Sequence, residues 1–322
     1  MYILNLLGRR YPPEAHRTLS RLGVVEYKES TKKILVGCIA KYDIAVIGLG
    51  LVFDKKILAT AKNLKVIATA TTGLDHIDLD EARKRTIKIL SLRGEAKFLK
   101  TITGTAELAM GLMIGLLRRI PHAFDDVKNG HWNRAAFCGA NLYGKTLGIV
   151  GFGRLGRLMA RYGEGFGMKV VFADPIVQVS KKSQRKVPFT ELLKQSDIIS
   201  IHAHLTQETE NMFSTAAFAR MKKSAILINT ARGKIVDEKA LLVALKKGAI
   251  AGYATDVLSD ELSFKNGKIG PNPLVEYGKK NKNIIITPHI GGMTNESREA
   301  TDVFMAKKLE RFLRTNFLNL GS

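Results

Sequence analysis

Cysteine is almost missing from this chain: Cys38 and Cys138 are the only two in 322 residues, far apart and outside any CxxC spacing. That scarcity supports neither a disulfide framework nor a thiolate metal site, and no metal is expected. Long apolar runs are missing too. The longest, Leu108 to Leu117, falls well short of the roughly 20 residues a membrane span requires, and the first residues lack the charged, apolar and small-residue order of a secretory leader. A cytoplasmic protein with no membrane partner is therefore expected. Acidic residues are the third shortage, with 29 Asp and Glu against 51 Lys and Arg, for a formal net charge of +22. An excess of that size is compatible with nucleic acid as a partner. The lysines, however, are spread through stretches such as Lys62 to Lys65, Lys181 to Lys186 and Lys279 to Lys282 rather than condensed in one arm. No recognition motif accompanies them, so the expectation is a solvated basic surface that attracts an anionic ligand, not a nucleic-acid interface.

What is present is the composition of a soluble globular chain, 45% hydrophobic and 25% charged, at a length that accommodates two domains. Short apolar runs rich in β-branched residues alternate with amphipathic segments, the pattern of parallel sheets joined by helices. Ile3 to Leu7, Ile34 to Gly37, Ile44 to Ile47, Lys65 to Ala70 and Ile87 to Leu90 read as the strands of a first sheet. Leu147 to Val150, Lys169 to Phe172, Ile198 to His202, Ala225 to Ile228, Gly252 to Thr255 and Ile284 to Thr287 read as those of a second. Thr105 to Arg119 is apolar nearly all round and predicts a helix buried on most sides, as at a domain or subunit boundary. Leu262 to Asn283, with Gly267, Gly270, Pro271, Pro273 and Gly278, reads as an extended surface loop holding at most one short helix. Thr301 to Phe317 reads as a final helix.

The most informative motif is Leu147-Gly148-Ile149-Val150-Gly151-Phe152-Gly153-Arg154-Leu155-Gly156: a buried strand, a GxGxxG turn and the start of a helix running through Met159 and Tyr162. Gly151 permits the tight turn, Gly153 lets backbone amides approach a pyrophosphate, and Gly156 allows the helix to pack close to the sheet, with the helix dipole favouring the anion. A second strand follows and ends in Asp174, where an acidic residue accepts hydrogen bonds from the adenosine ribose. A carboxylate there repels a 2′-phosphate, so NAD is expected over NADP; the nearby Lys181, Lys182, Arg185 and Lys186 are read as solvated-loop charges.

Three later strands end in polar groups. Arg232 follows Asn229-Thr230-Ala231, Asp256 follows Thr255 with Glu261 five residues on, and His289 sits in Thr287-Pro288-His289-Ile290-Gly291-Gly292. Singly these are a surface arginine, a loop carboxylate and a core histidine. Together they meet the needs of hydride transfer to a 2-oxo acid, which requires a cation to grip the carboxylate and polarise the carbonyl, and a proton donor that titrates near neutrality. The planar guanidinium of Arg232 suits the first task, the His289 imidazole suits the second, and Glu261 would orient the ring and favour its protonated form.

With these motifs and Thr72-Gly73-Leu74-Asp75-His76-Ile77-Asp78, the sequence resembles, over nearly its whole length, the D-isomer-specific 2-hydroxyacid dehydrogenases, a family that includes D-3-phosphoglycerate, D-lactate and glycerate dehydrogenases. The resemblance implies a doubly wound parallel-sheet Rossmann coenzyme domain, 104–289, inserted into a smaller flavodoxin-like substrate domain, 1–103 and 290–322. It implies a homodimer built through the coenzyme domain and the Thr105 to Arg119 helix. It places Thr105, Arg154, Leu155, Asp174, His202, Thr209, Thr230, Asp256 and Gly291, beside the three motif glycines, along the coenzyme NAD. Backbone amides near Gly73 and Gly94 are implied to hold the substrate carboxylate. The chain departs from the family pattern at His204 and Leu262, both usually proline, in the longer loop after Leu262, at Gly163 and Gly165 within a helix, and at Ser91-Leu92-Arg93-Gly94, usually Asn-x-Pro-Gly. Arg93 either meets a second anionic group on the substrate, or points to solvent or pairs with Glu95 or Glu107. An NADH-sensing binding protein of the same fold, similar to the C-terminal-binding-protein corepressors, is the alternative to an enzyme.

Overall fold

The computed structural model describes residues 1–8, 11–28, 31–178, 183–264 and 268–316; Lys181, Lys182, Gly267 and Phe317, named above, lie outside them. The chain divides into two compact units, residues 1–102 with 294–322 and residues 103–293, so residues 290–293 go with the second.

The first unit begins β1 (Tyr2–Asn5), α1 (Pro13–Ser20), β2 (Val24–Tyr27), α2 (Lys32–Cys38), β3 (Ile44–Ile47), α3 (Lys55–Thr60), β4 (Val66–Thr69), α4 (Leu79–Lys84), β5 (Lys88–Leu90) and α5 (Ala96–Leu99). The second holds α6 (Gly104–Leu117), α7 (Ile120–Lys128), β6 (Thr146–Val150), α8 (Arg154–Gly165), β7 (Lys169–Ala173), β8 (Gln184–Lys186), α9 (Phe189–Gln195), β9 (Ile198–Ile201), α10 (Thr215–Phe218), β10 (Ile226–Asn229), α11 (Glu238–Lys246), β11 (Gly252–Thr255), α12 (Pro273–Gly278) and β12 (Ile284–Ile286). The chain then returns to the first unit in α13 (Asn295–Asn316).

Both sheets are parallel throughout. The first has strand order β2-β1-β3-β4-β5 and the second β12-β11-β10-β9-β6-β7-β8, the two common doubly wound orders. The interior strands are buried on both faces, which is why their sequences are largely apolar runs rather than alternations. In β3, Ile44 and Val46 pack with α1 and α13, while Ala45 and Ile47 pack on the other face with α2 and α3. In the second unit, Ile226 and Ile228 of β10 pack with α6, and Leu227 packs with α11.

Five sequence expectations are corrected. Ile34 to Gly37 is not a strand but part of α2: Thr31 caps it, its Oγ1 accepting from the Ile34 amide at 3.4 Å, and only Leu35 of the run is fully buried. The missing strand of the first sheet is β2, an edge strand whose Val24 is 58% exposed and which therefore lacks the apolar signal of its neighbours. It is preceded by Gly23, where a Cβ would meet the Met1 carbonyl oxygen at 2.0 Å. The second sheet has a further strand, β8, whose polar residues pair with β7 at the opposite edge. Finally α13 begins at Asn295, and the apolar helix expected to reach Arg119 ends at Leu117, because Arg119 turns left-handed (φ 55°) and opens α7.

In the first unit, Asp302 of α13 is 1% exposed, and neither carboxylate oxygen has a hydrogen-bond donor among the described residues. The Arg298 guanidinium approaches to 2.9 Å, off the line of a hydrogen bond, and the Tyr11 hydroxyl donates instead to the Asp302 carbonyl. Burial pushes the carboxyl up to about 6, with Arg298 acting against it. Because the folded chain then holds this proton more tightly than the unfolded chain does, the Asp302 charge weighs against folding as pH rises from about 4 to 6. Asp302→Asn removes that dependence. In urea unfolding, the wild type should lose about 2 kcal/mol more than the variant between pH 4 and pH 7; parallel pH profiles for the two would refute the assignment.

Candidate active site

The parallel strands of the second unit deliver their C-terminal ends to one edge of the sheet, and the candidate residues follow those ends. After β6 the chain turns at Gly151 (φ +88°), where a Cβ would lie 2.7 Å from the His202 carbonyl group. A side chain would force apart the ends of β6 and β9, where the order of the sheet reverses. At Gly156 a Cβ would meet the Gly151 carbonyl oxygen at 2.2 Å, so only glycine lets α8 start this close to the sheet. Between them, Phe152 is buried and stacked on Phe172 at 3.8 Å. Asp174, at the end of β7, ties this turn: its Oδ2 accepts from the Phe152 amide at 2.7 Å, and its Oδ1 from the Ile176 and Val177 amides. Those amides hold the carboxyl below its usual range even though burial acts against them.

The edge also suits a dinucleotide. No atom lies within 4 Å of the place a Cβ of Gly153 would take, so the residue before α8 is open on that side, where a helix N-terminus suits an anion. At this edge two of the buried polar atoms that have no hydrogen-bond partner among the described residues are His202 Nδ1, just past β9, and Thr230 Oγ1, just past β10. Burial pushes the imidazole of His202 down to about 3, so it is neutral; its Nε2 meets Ser200 Oγ at 2.8 Å. Unsatisfied groups of this kind cost about 1–3 kcal/mol each unless a ligand or water answers them. Arg154 and Leu155 are half-buried at the start of α8. Thr209, by contrast, spends its hydroxyl inside its own turn, donating to the His204 carbonyl at 2.6 Å.

The polar groups after β10, β11 and β12 are joined by short contacts. His289 Nδ1 meets Glu261 Oε1 at 2.8 Å, and both side chains are largely enclosed. His289 itself is left-handed (φ 52°), and its amide donates to the Asp256 carbonyl at 2.9 Å. The Asp256 carboxylate accepts from Thr287 Oγ1, from the Ile290 amide and from the Gly291 amide at 2.6 to 2.8 Å. Burial raises the Asp256 carboxyl, and those three donors oppose the rise. Gly291 is buried against Thr105 of α6, whose side chain would lie 3.2 Å from a Cβ there. Arg232 is half-buried, its Nη1 donating to the Ala231 carbonyl at 2.7 Å. Its loop touches the Glu261 loop directly, since a Cβ on Gly233 would lie 2.1 Å from the carbonyl carbon of Leu258.

Several holding residues escaped the sequence reading. Asn229 Nδ2 donates to the Arg232 carbonyl, and its Oδ1 accepts from the Ala231 amide, both at 3.0 Å. Thr287 braces Asp256, and Glu238 braces Ser259. The Asn-Thr-Ala-Arg spelling was the signal available for Asn229; nothing local marked Glu238, whose partner is 21 residues away. In the first unit, Gly73 and Gly94 follow the neighbouring strands β4 and β5, and the Leu92 amide donates to the Thr71 carbonyl between their loops. Arg93 is exposed, and Glu95 is taken by Lys308 at 2.6 Å rather than by Arg93.

Residues 110–291 match the model of the D-isomer-specific 2-hydroxyacid dehydrogenase NAD-binding domain. A glyoxylate reductase of Thermococcus litoralis is 39% identical over 271 residues, covering 81% of this chain and 77% of that one. A D-3-phosphoglycerate dehydrogenase of Methanocaldococcus jannaschii is 35% identical over 94% of this chain, which spans 56% of that longer relative. Among solved structures, the D-lactate dehydrogenase of Aquifex aeolicus, complexed with NAD and lactic acid, matches with a TM-score of 0.84 and 29% identity over 98% of this chain and 96% of that one.

The Asp174 carboxylate, at the end of β7 and bonded to the Phe152 amide beside Gly153, predicts that NADH binds more tightly than NADPH. Fluorescence titration of the two with the whole chain decides it. Equal or reversed affinities would mean that Lys186, the cation whose charge acts on Asp174, outweighs the carboxylate.

Proposed function

Because this chain belongs to the D-isomer-specific 2-hydroxyacid dehydrogenases, we propose that it interconverts a small D-2-hydroxy acid and its 2-oxo acid. The observation that carries the reading is the His289–Glu261 pair at the end of β12, 2.8 Å apart and beside the loop of Arg232. Bound NAD(H) supplies or takes the hydride. His289 gives a proton to the carbonyl oxygen during reduction and takes it back during oxidation, while Glu261 fixes the ring and its Nδ1 proton. Arg232 grips the carboxylate and polarises the carbonyl. Asp256 acts one step back, holding the His289 turn. The motif glycines with Thr105, Arg154, Leu155, Asp174, His202, Thr209, Thr230, Asp256 and Gly291 form the coenzyme side of this reading; Gly73, Arg93 and Gly94 are assigned to substrate.

A homodimer in the cytoplasm completes the proposal. α7 has no buried residue, and Ile120, Phe124 and Val127, spaced to share one helical face, are 51%, 63% and 48% exposed. A second copy covering that face is the simplest account of it, and light scattering reads the assembly directly.

His289→Ala should lower turnover by about a hundredfold or more while leaving NADH affinity within about twofold; parallel loss of both would remove the acid–base role. Glu261→Gln should move the alkaline limit of 2-oxo acid reduction toward acid, since reduction consumes the protonated imidazole and a neutral partner stabilises it less. A screen of 2-oxo acids by loss of NADH absorbance tests the activity itself, and NADH binding without any turnover would favour the sensing alternative. In the same screen, Arg93→Ala should cost about tenfold or more selectively on a phosphorylated or dicarboxylic substrate. Equal loss on a singly charged one, or none on either, would leave Arg93 a solvated cation.

A further inference from the structure

α11 opens with two acidic residues that do different work. Asp237 caps the helix, its side chain accepting from the Lys239 and Ala240 amides. Glu238, also in the first turn, reaches out of the helix instead. Its Oε1 accepts from the Ser259 amide at 2.7 Å, and its Oε2 from Ser259 Oγ at 2.8 Å. Two bonds from one carboxylate to one residue fix both the distance and the rotation of the backbone they grip.

That backbone is the segment carrying Glu261. Ser259 precedes it by two residues, Glu261 Oε2 accepts from the Leu258 amide at 3.3 Å, and Glu261 Oε1 faces His289. On one side the segment lies against Gly233, where a Cβ would be 2.3 Å from the Ser259 nitrogen. On the other, Asn272 donates to Asp260 at 3.2 Å. Glu238 is the only one of these supports that reaches Ser259 through a side chain. Its position is costly: burial raises its carboxyl above the usual range, the charges of Asp260 and Glu261 push the same way, and the two Ser259 donors oppose them. A carboxylate with two like charges as neighbours is a poor choice for packing alone.

We propose that Glu238 is a positioning residue for the reaction: by gripping Ser259 it holds the Leu258–Glu261 turn so that the Glu261 carboxylate stays on His289 Nδ1. The proposal rests on the reading of His289 and Glu261 as the acid–base pair. It requires that what Glu238 does passes through Glu261, and that its acceptor geometry rather than its charge matters.

The test is a set of variants of the whole chain, read by kcat, NADH affinity and the pH profile of 2-oxo acid reduction. Glu238→Ala should lower kcat by about tenfold, move the alkaline limit in the same direction as Glu261→Gln does, and leave NADH affinity unchanged. Glu238→Gln keeps an oxygen for the Ser259 amide and offers Ser259 Oγ a donor, so it should restore most of the loss. In a Glu261→Gln background Glu238→Ala should cost nothing further, because the group it positions is already altered. Independent, additive losses would overturn the proposal, as would an unmoved pH profile or a Gln variant as poor as the Ala variant. Should Glu238→Ala fail to fold, Ser259→Ala removes one of the two bonds from the loop side; a smaller shift in the same direction supports the proposal, and none refutes it. If Glu261→Gln itself leaves turnover and pH profile unchanged, the pair assignment fails and this inference falls with it, whereas an effect of Glu261→Gln without one of Glu238→Ala sinks only the inference.

Discussion

One buried carboxylate organises the polar end of the second sheet. Asp256, 1% exposed, receives three hydrogen bonds on its carboxylate and a fourth, from the His289 amide, on its carbonyl. All four come from the turn after β12, so a residue at the end of one strand dictates the path of the chain leaving the next. Burial works against the charge, and the donors work for it. The balance is what a rigid turn needs, because a left-handed non-glycine residue such as His289 costs on the order of 1 kcal/mol or more and persists only where its surroundings over-determine it. Glycine at that place would adopt the conformation freely but would bring no imidazole.

The same logic runs along the edge. Asp174 answers three amides around the dinucleotide turn, Asn229 binds two backbone groups around Arg232, and Glu238 grips Ser259 twice. In each case a side chain rooted in or beside a regular element fixes an irregular loop. The parallel arrangement makes this possible, since every strand of the sheet ends on the same side and each loop has a neighbour within reach.

Sequence patterns carried the interior strands well, because strands such as β3, β6 and β10 are buried on both faces and spell themselves as apolar runs. They failed at only two of the four sheet edges, since the edge strands β5 and β12 were legible. β2 and β8 have one neighbour each and half-exposed side chains, and α2 was mistaken for a strand because four consecutive apolar residues have no period to betray their helix. The GxGxxG turn was legible because each glycine there answers a steric demand a reader of sequence can anticipate. Arg232, Glu261 and His289 were legible as polar groups that follow β10, β11 and β12. What joins them was not: the Glu238 to Ser259 and Asp256 to Gly291 bonds span 21 and 35 residues, and no local rule ties such partners together.

The charge of the whole chain and that of the two segments around Asp256 differ in sign. With +22 overall, the surface field draws anions from solution, but at physiological ionic strength it is screened within about 8 Å. Closer in, the segments 256–261 and 287–291 contain Asp256, Asp260 and Glu261 and neither lysine nor arginine, and Glu238 adds a fourth carboxylate beside them. Asp256 and Glu238 are held by amides and hydroxyls rather than by cations, so their charge is solvated without being cancelled. Arg232 brings a guanidinium to this edge and His289 an imidazole, the two groups that the neighbouring strand ends provide. The excess of lysine elsewhere therefore does not extend into these two segments, where amides and hydroxyls rather than lysines meet the carboxylates of Asp256 and Glu238.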